Sequence, residues 1–152
     1  MSFNLAEALP LIVPRAVAWA EQQAAHIAAI GEPLDAQGLS LALRVGVSQP
    51  ERVRLLHVPR IELPSDPLLR QAALFAGFLG ADALGLTLGH SIFLRNGWHS
   101  ARLLSHECRH VYQYERAGSI AAYLPLYLRQ IVEEGYDEAP FERDARACEL
   151  DA

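Results

Sequence analysis

The string HECRH, residues 106–110, carries the residues with the clearest chemical potential in this sequence. His106 and His110 are four positions apart in a stretch with helical periodicity, so both side chains lie on one helix face, about one turn apart. Two imidazoles in that arrangement can bind one zinc ion, which also keeps a position for water. Glu107 projects beside that face, where its carboxylate can accept a proton from the water without being a ligand. The spacing therefore predicts a site for metal-assisted hydrolysis.

Two neighbouring polar residues have different expected roles. Cys108 lies about 200° around the helix from His106, so we expect its thiol to point away from the metal and into the packing. Gln113 is seven residues after His106 and returns to the ligand face. Its amide can orient a metal ligand, or it can be a polar side chain at the edge of a cleft, and the spacing alone leaves both interpretations open.

The segment LLSHECRHVYQYERAG, followed by LPLYL and then GYDEAPFERDA, resembles the zincin metalloproteases and, more closely, their glutamate-ligand branch, the gluzincins. It is similar to small uncharacterised bacterial zincin-like domains that combine HExxHxxQ with a later short helix opening on a proline. The resemblance covers about residues 84–147. It implies a minimal zincin-like domain, mostly helical, with a small sheet before the HExxH helix and Zn²⁺ as the cofactor.

The resemblance also implies a third metal ligand on the downstream helix. Glu142 is the natural choice, because its side chain is long and it lies in the first turn after Pro140. Asp144 is the alternative, since residues two positions apart cannot both face the metal. The 142 − 110 = 32 positions between His110 and Glu142 require an additional helix, which SIAAYLPLYLRQIVEEG supplies.

The implied function is that of a zinc-dependent metallopeptidase, in which Glu107 acts as general base on a metal-activated water. Tyr136 precedes the ligand helix, where its phenol either stabilises an oxyanion or serves packing in a turn. The strand over 86–95 would border the cleft and pair with an extended peptide substrate. The alternative is a catalytically inactive zincin-fold domain that binds metal or another protein.

The rest of the sequence predicts the elements that position these residues. Gly, Pro and capping residues divide the chain, and period-two alternation marks the strands. Pro59 should confine the first strand to a sheet edge or make it irregular. Helices before and after a short sheet indicate an α+β fold in a single domain over 1–152. We expect helices over 6–30, 39–46, 66–80, 99–118, 119–135 and from 140, and strands over 53–63 and 86–95.

Composition excludes several classes of function. The 13 basic and 18 acidic side chains give a net charge of −5, with no concentrated basic patch, so a nucleic-acid partner is not expected. Two cysteines are too few for a disulfide scaffold, and the N-terminus lacks a signal-peptide pattern. Both observations favour a cytoplasmic location, although export without a leader would leave no signal in the sequence. The stretch 72–89 is apolar, but it contains four glycines and Asp82. We therefore expect it to form a helix, a turn and the beginning of a strand rather than a membrane span.

Overall fold

The computed structural model describes residues 3–77 and 83–152. These residues form helices that surround one short sheet, so the expected α+β fold is confirmed. None of the described helices combines the length and apolar character needed to cross a bilayer. In chain order the elements are α1 Leu5–Ile30, β1 Glu32–Pro33, α2 Ala36–Arg44, a 3-10 turn Pro50–Arg52, β2 Arg54–Val58, α3 Pro67–Ala76, β3 Gly85–Leu88, β4 Ser91–Arg95, α4 Ala101–Ala117, α5 Ile120–Glu134 and α6 Pro140–Ala147.

The strands are arranged in the order β1-β2-β4-β3, with β2 and β4 parallel and the two outer pairings antiparallel. The expectation of one strand over 86–95 is wrong, because the segment folds back on itself as a hairpin. Gly89 has φ +70°, a conformation that side chains disfavour, and it forms the turn with His90 between β3 and β4. The hairpin leaves β3 at the edge of the sheet, beside α4.

The first predicted strand is shorter than expected and lies inside the sheet. It ends at Val58, directly before Pro59, so the proline lies outside the strand and has no ladder hydrogen bond to disrupt. On one side β2 pairs with β4 along its whole length, and on the other side β1 covers only Arg54 and Leu55. Among the described residues, nothing pairs with most of that second side, although β2 is not the last strand.

The N-terminal helices begin and end near the expected residues. α1 continues through Pro10 and Pro14, each of which removes one helix hydrogen bond. The carboxylate of Asp66 accepts hydrogen bonds from the first backbone amides of α3, and α3 ends at Gly77 in the left-handed conformation. The expected end at Gly80 is wrong, because the left-handed Gly77 ends the helix three residues earlier, and the interpretation of Asp82 lies outside the described residues.

The last three helices confirm the sequence prediction most closely. Ser100 caps α4 through Leu103, and Ser119 caps α5 through Ala122. Gly118 and Gly135, both with positive φ, end these two helices. α6 begins at Pro140, where a missing amide hydrogen costs no helix hydrogen bond.

The sheet separates two apolar clusters. Phe93 faces a cluster built from α1, α3 and α5, whereas Ile92 and Leu94 face a second cluster built from α2 and α4. This alternation follows from the period-two geometry of β4. Helix α4 packs between the second cluster, β3 and α6, and this packing brings the two halves of the candidate site together.

Candidate metal centre

Three of the predicted site residues converge at one point. The ligand atoms of His106, His110 and Glu142 all lie within 4.8 Å of one another, and the last two residues are buried. Each imidazole presents its Nε2 to the carboxylate: His106 Nε2 is 3.2 Å from Oε1 of Glu142, and His110 Nε2 is 3.2 Å from Oε2. The helical spacing of the two histidines on α4 and the first turn of α6 produce this convergence.

The position of Glu142 depends on how α6 is attached to α5. The backbone amide of Phe141 donates a hydrogen bond to Oε1 of Gln130 at 2.9 Å. The Phe141 ring stacks on Tyr123, with ring centroids 4.8 Å apart. Both contacts fix the first turn of α6 against α5. Because α5 lies between His110 and Glu142 in the sequence and positions Glu142, it accounts for the long separation of these two ligands.

Gln113 determines the orientation of His110. Its Nε2 donates to the carbonyl of Phe141 and to Oδ2 of Asp144, each at 2.9 Å, so its Oε1 faces the other way. That oxygen lies 2.8 Å from Nδ1 of His110 and accepts a second hydrogen bond from Tyr123. Since an amide oxygen can only accept, Nδ1 of His110 carries a proton. In the neutral ring, Nε2 then directs a lone pair towards Glu142.

Glu149 orients His106, and sequence reasoning missed it. Its Oε2 lies 2.8 Å from Nδ1 of His106, on the opposite side of the ring from Glu142. The backbone amide of Leu150 donates to Oγ of Ser105, which holds this part of the chain against α4. A carboxylate behind a metal-binding histidine fixes the ring and increases its basicity. Little in the sequence indicated this role, because Glu149 lies after α6 and belongs to no recognisable motif.

We expect Glu149→Ala to weaken zinc binding by about 10- to 100-fold, because the His106 ring loses the acceptor that orients it. Zinc competition with a chromogenic chelator measures the change. Asp151→Ala is the matched control, since Asp151 shares Arg102 with Glu149 but, unlike Glu149, has no hydrogen bond to His106. Equal affinities in the two variants would exclude a role for Glu149 in the site.

The electrostatic environment of the two histidines favours a cation. Burial disfavours a charged His106 ring, but its hydrogen bonds to Glu142 and Glu149 and the charge of Glu107 outweigh this effect and raise its pKa to about 9. The pKa of His110 is also raised, since its contact with Glu142 offsets burial. The same imidazole contacts hold the pKa of Glu142 well below its usual range despite burial. Three carboxylates thus surround two imidazoles.

Two tyrosines contact the Glu142 carboxylate. Tyr127 donates a hydrogen bond to Oε2 at 2.7 Å, and the Tyr136 phenol lies near the same carboxylate. Burial and the nearby carboxylate raise the pKa of both phenols, so both remain protonated donors at neutral pH. Tyr127 was not among the expected site residues, because its position in the apolar face of α5 is typical of core packing.

Strand β3 holds Glu107 in place. Oγ1 of Thr87 donates to Oε1 of Glu107 at 2.8 Å, and both side chains are buried. Gly85 lies against the same carboxyl group: a Cβ there would be 2.9 Å from its Cδ and its Oε2. Sequence reasoning missed both residues, because the spacing of residues along the chain does not show that β3 packs against α4.

In the metallopeptidase that the resemblance implies, we expect Gly85→Ala to lower the kcat by about a hundredfold, because the added methyl displaces the Glu107 carboxylate. That carboxylate is the end of a flexible side chain and can move without shifting the backbone. Thermal stability and zinc content should therefore change little. Steady-state kinetics, calorimetry and elemental analysis test this combination, and an unchanged kcat would contradict the placement of Glu107.

Comparisons of the chain with protein-family models, curated proteins and solved structures found no match. Two histidine nitrogens and a carboxylate oxygen fit a divalent transition metal and are a common donor set for catalytic zinc. His106, His110 and Glu142 would hold the ion.

Asp144 and Cys108 lie apart from this cluster. Asp144, the alternative third ligand, accepts hydrogen bonds from Arg109 at 2.8 Å and from Gln113, and its carboxylate is absent from the described metal-ligand group. Cys108 is fully buried among apolar side chains of the second cluster, as its angle on α4 predicts. Burial raises the pKa of its thiol to about 12, so it is a poor ligand.

Proposed function

We propose that this protein is a zinc-dependent metallopeptidase. The proposal depends chiefly on one observation: both Nε2 atoms of the HECRH histidines converge on the buried Glu142 carboxylate. Glu107, the neighbour of His106, is held beside this cluster by Thr87. Two metal ligands, a third carboxylate ligand and a separate carboxylate base form the arrangement that the resemblance to gluzincins implies.

Each side chain has a distinct role in the proposed reaction. Zinc, when bound, polarises the scissile carbonyl and lowers the pKa of water to about 7. Glu107 accepts a proton from the attacking water and delivers it to the leaving amine. Thr87 fixes the carboxylate for both transfers. Tyr136 lies beside Glu142 as a protonated donor and is our candidate for a hydrogen bond to the developing oxyanion.

The expected substrate is a peptide or an extended segment of a protein. In the described part of the sheet, β3 is the terminal strand and pairs only with β4. Its outer edge can therefore hydrogen-bond to an extended peptide. Because Gly85 and Thr87 of β3 contact Glu107, such a peptide would lie next to the proposed base. Two free cysteines suit a reducing compartment, which supports the cytoplasm as the proposed location.

The test combines metal analysis with a broad peptide library. We expect about one zinc per chain and cleavage that stops after removal of the metal with a chelator and returns when zinc is added. Failure to bind zinc, before or after its addition, would overturn the proposal. Stoichiometric zinc without any cleavage would instead favour the alternative, a zincin-fold domain that binds metal or protein without hydrolysis.

A further inference from the structure

A small, largely apolar cavity adjoins the candidate metal centre. Its volume is about 80 Å³. His106, Glu107, His110 and Glu142 form one wall. A group in the cavity would therefore lie next to the proposed ligands and base, so the cavity belongs to the reaction site rather than to a separate surface.

About half of the remaining lining residues come from the N-terminal half of the chain, outside the segment that resembles zincins, and the others come mainly from β3 and α5. α1 and α3 contribute alanines where larger side chains would fill the space, and α5 closes the opposite side. The apolar lining residues include Ala16 and Trp19 of α1, Ala72 and Ala73 of α3, and Leu124 and Leu128 of α5.

Three hydroxyl groups of the lining already donate hydrogen bonds to other residues of the site. Thr87 donates to Glu107, Tyr127 donates to Glu142, and Tyr123 donates to Gln113. A charged or amide side chain would lose its hydration in this cavity, whose lining is mainly apolar, and this loss is unfavourable. An apolar group, by contrast, gains the free energy of leaving water.

We propose that the cavity binds a branched aliphatic side chain of the substrate, of the size of Val or Leu, next to the bond that is hydrolysed. This inference rests on the proposed function and assigns a role to α1 and α3 as the elements that set specificity. The size follows from the volume, since a cavity that admits benzene has about 150 Å³ and this one has about half. An aromatic side chain is too large, and Gly or Ala leaves the cavity unfilled.

Amino-acid hydroxamates test the proposal without turnover. The hydroxamate group chelates zinc, while the side chain reports on the cavity. We expect the valine and leucine hydroxamates to bind the zinc-loaded protein at least about tenfold more tightly than the glycine compound, because each buried methylene improves affinity about fourfold. The phenylalanine compound should bind more weakly than the leucine compound. Calorimetry gives the affinities, and Trp19 fluorescence in a Trp98→Phe background reports filling of the cavity.

Ala73→Leu should remove the preference for the leucine hydroxamate, because the larger side chain at position 73 occupies the cavity. The leucine hydroxamate should lose its advantage over the glycine compound, whereas zinc content stays unchanged. Gln71→Leu is the matched control, because residue 71 is exposed on the same helix and does not line the cavity. If Ala73→Leu does not fold, the hydroxamate series with the unmodified protein remains decisive.

The outcomes separate the two proposals. Equal affinity for all side chains, or tightest binding of the phenylalanine compound, overturns the specificity inference and leaves the metallopeptidase proposal intact. Absence of binding for every hydroxamate, together with absence of zinc, overturns the proposed function and this inference with it. A maximum at valine or leucine that disappears in Ala73→Leu supports both.

Discussion

Glu107→Gln is expected to lower kcat for peptide hydrolysis by about a thousandfold, with zinc content unchanged. Glutamine keeps the volume of the side chain and can still contact Thr87, but its amide cannot accept a proton from water. General-base catalysis contributes about 10²- to 10⁴-fold, so losing it should leave only residual activity. Turnover of the best library peptide and elemental analysis of the same preparation measure both parts of the prediction.

The control for this experiment is Glu133→Gln, an equivalent charge change at an exposed position of α5. It should retain full activity, which separates the loss of the base from the loss of one negative charge. If Glu107→Gln cleaves the confirmed substrate at the original rate, Glu107 is not the base. Loss of zinc in Glu107→Gln would show that the residue acts on the metal site instead.

Glu142→Gln is expected to weaken zinc binding by more than about a hundredfold. The substitution removes the only negative charge among the three proposed ligands. The loss of zinc affinity should therefore be larger than the loss caused by replacing a residue that only orients a ligand. It also places a neutral amide between His106 and His110, where Glu142 is almost completely buried. Chelator competition on the purified variants gives the affinity, and peptide cleavage should fall in parallel.

Asp144→Asn is the comparison that decides between the two sequence-based choices for the third ligand. Its carboxylate binds Arg109 and Gln113, so the variant should lose these contacts and some stability but keep zinc. The reverse result, zinc lost in Asp144→Asn and kept in Glu142→Gln, would assign the third position to Asp144. Thermal unfolding measured beside the metal assay distinguishes weaker folding from weaker binding.

Local spacing predicted the parts of the site that lie on single helices. The four-residue interval in HECRH places His106 and His110 side by side, and the seven-residue interval brings Gln113 to the same face. Capping residues and helix-ending glycines fixed α4 and α5 almost to the residue. These features depend on helix periodicity and backbone conformation, which short sequences encode directly.

Contacts between distant segments could not be predicted in the same way. Thr87 and Glu149 reach the site only after β3 and the segment beyond α6 pack against α4. The hairpin at Gly89 was also missed, because alternation continues through the turn and resembles one long strand. Nor did the periodicity of α1 indicate that its alanines border a cavity at the metal centre. Such relations depend on tertiary packing rather than on spacing.

The contact between α4 and α6 at His106 and Glu142 has a further consequence, since a metal bound there would cross-link two distant parts of the chain. These residues are 36 positions apart, and α5 lies entirely between them. An ion held by both would act as a reversible cross-link that closes this loop, much as a disulfide does, and would restrict the unfolded chain. The C-terminal third of the protein would then owe part of its folding free energy to the concentration of free zinc.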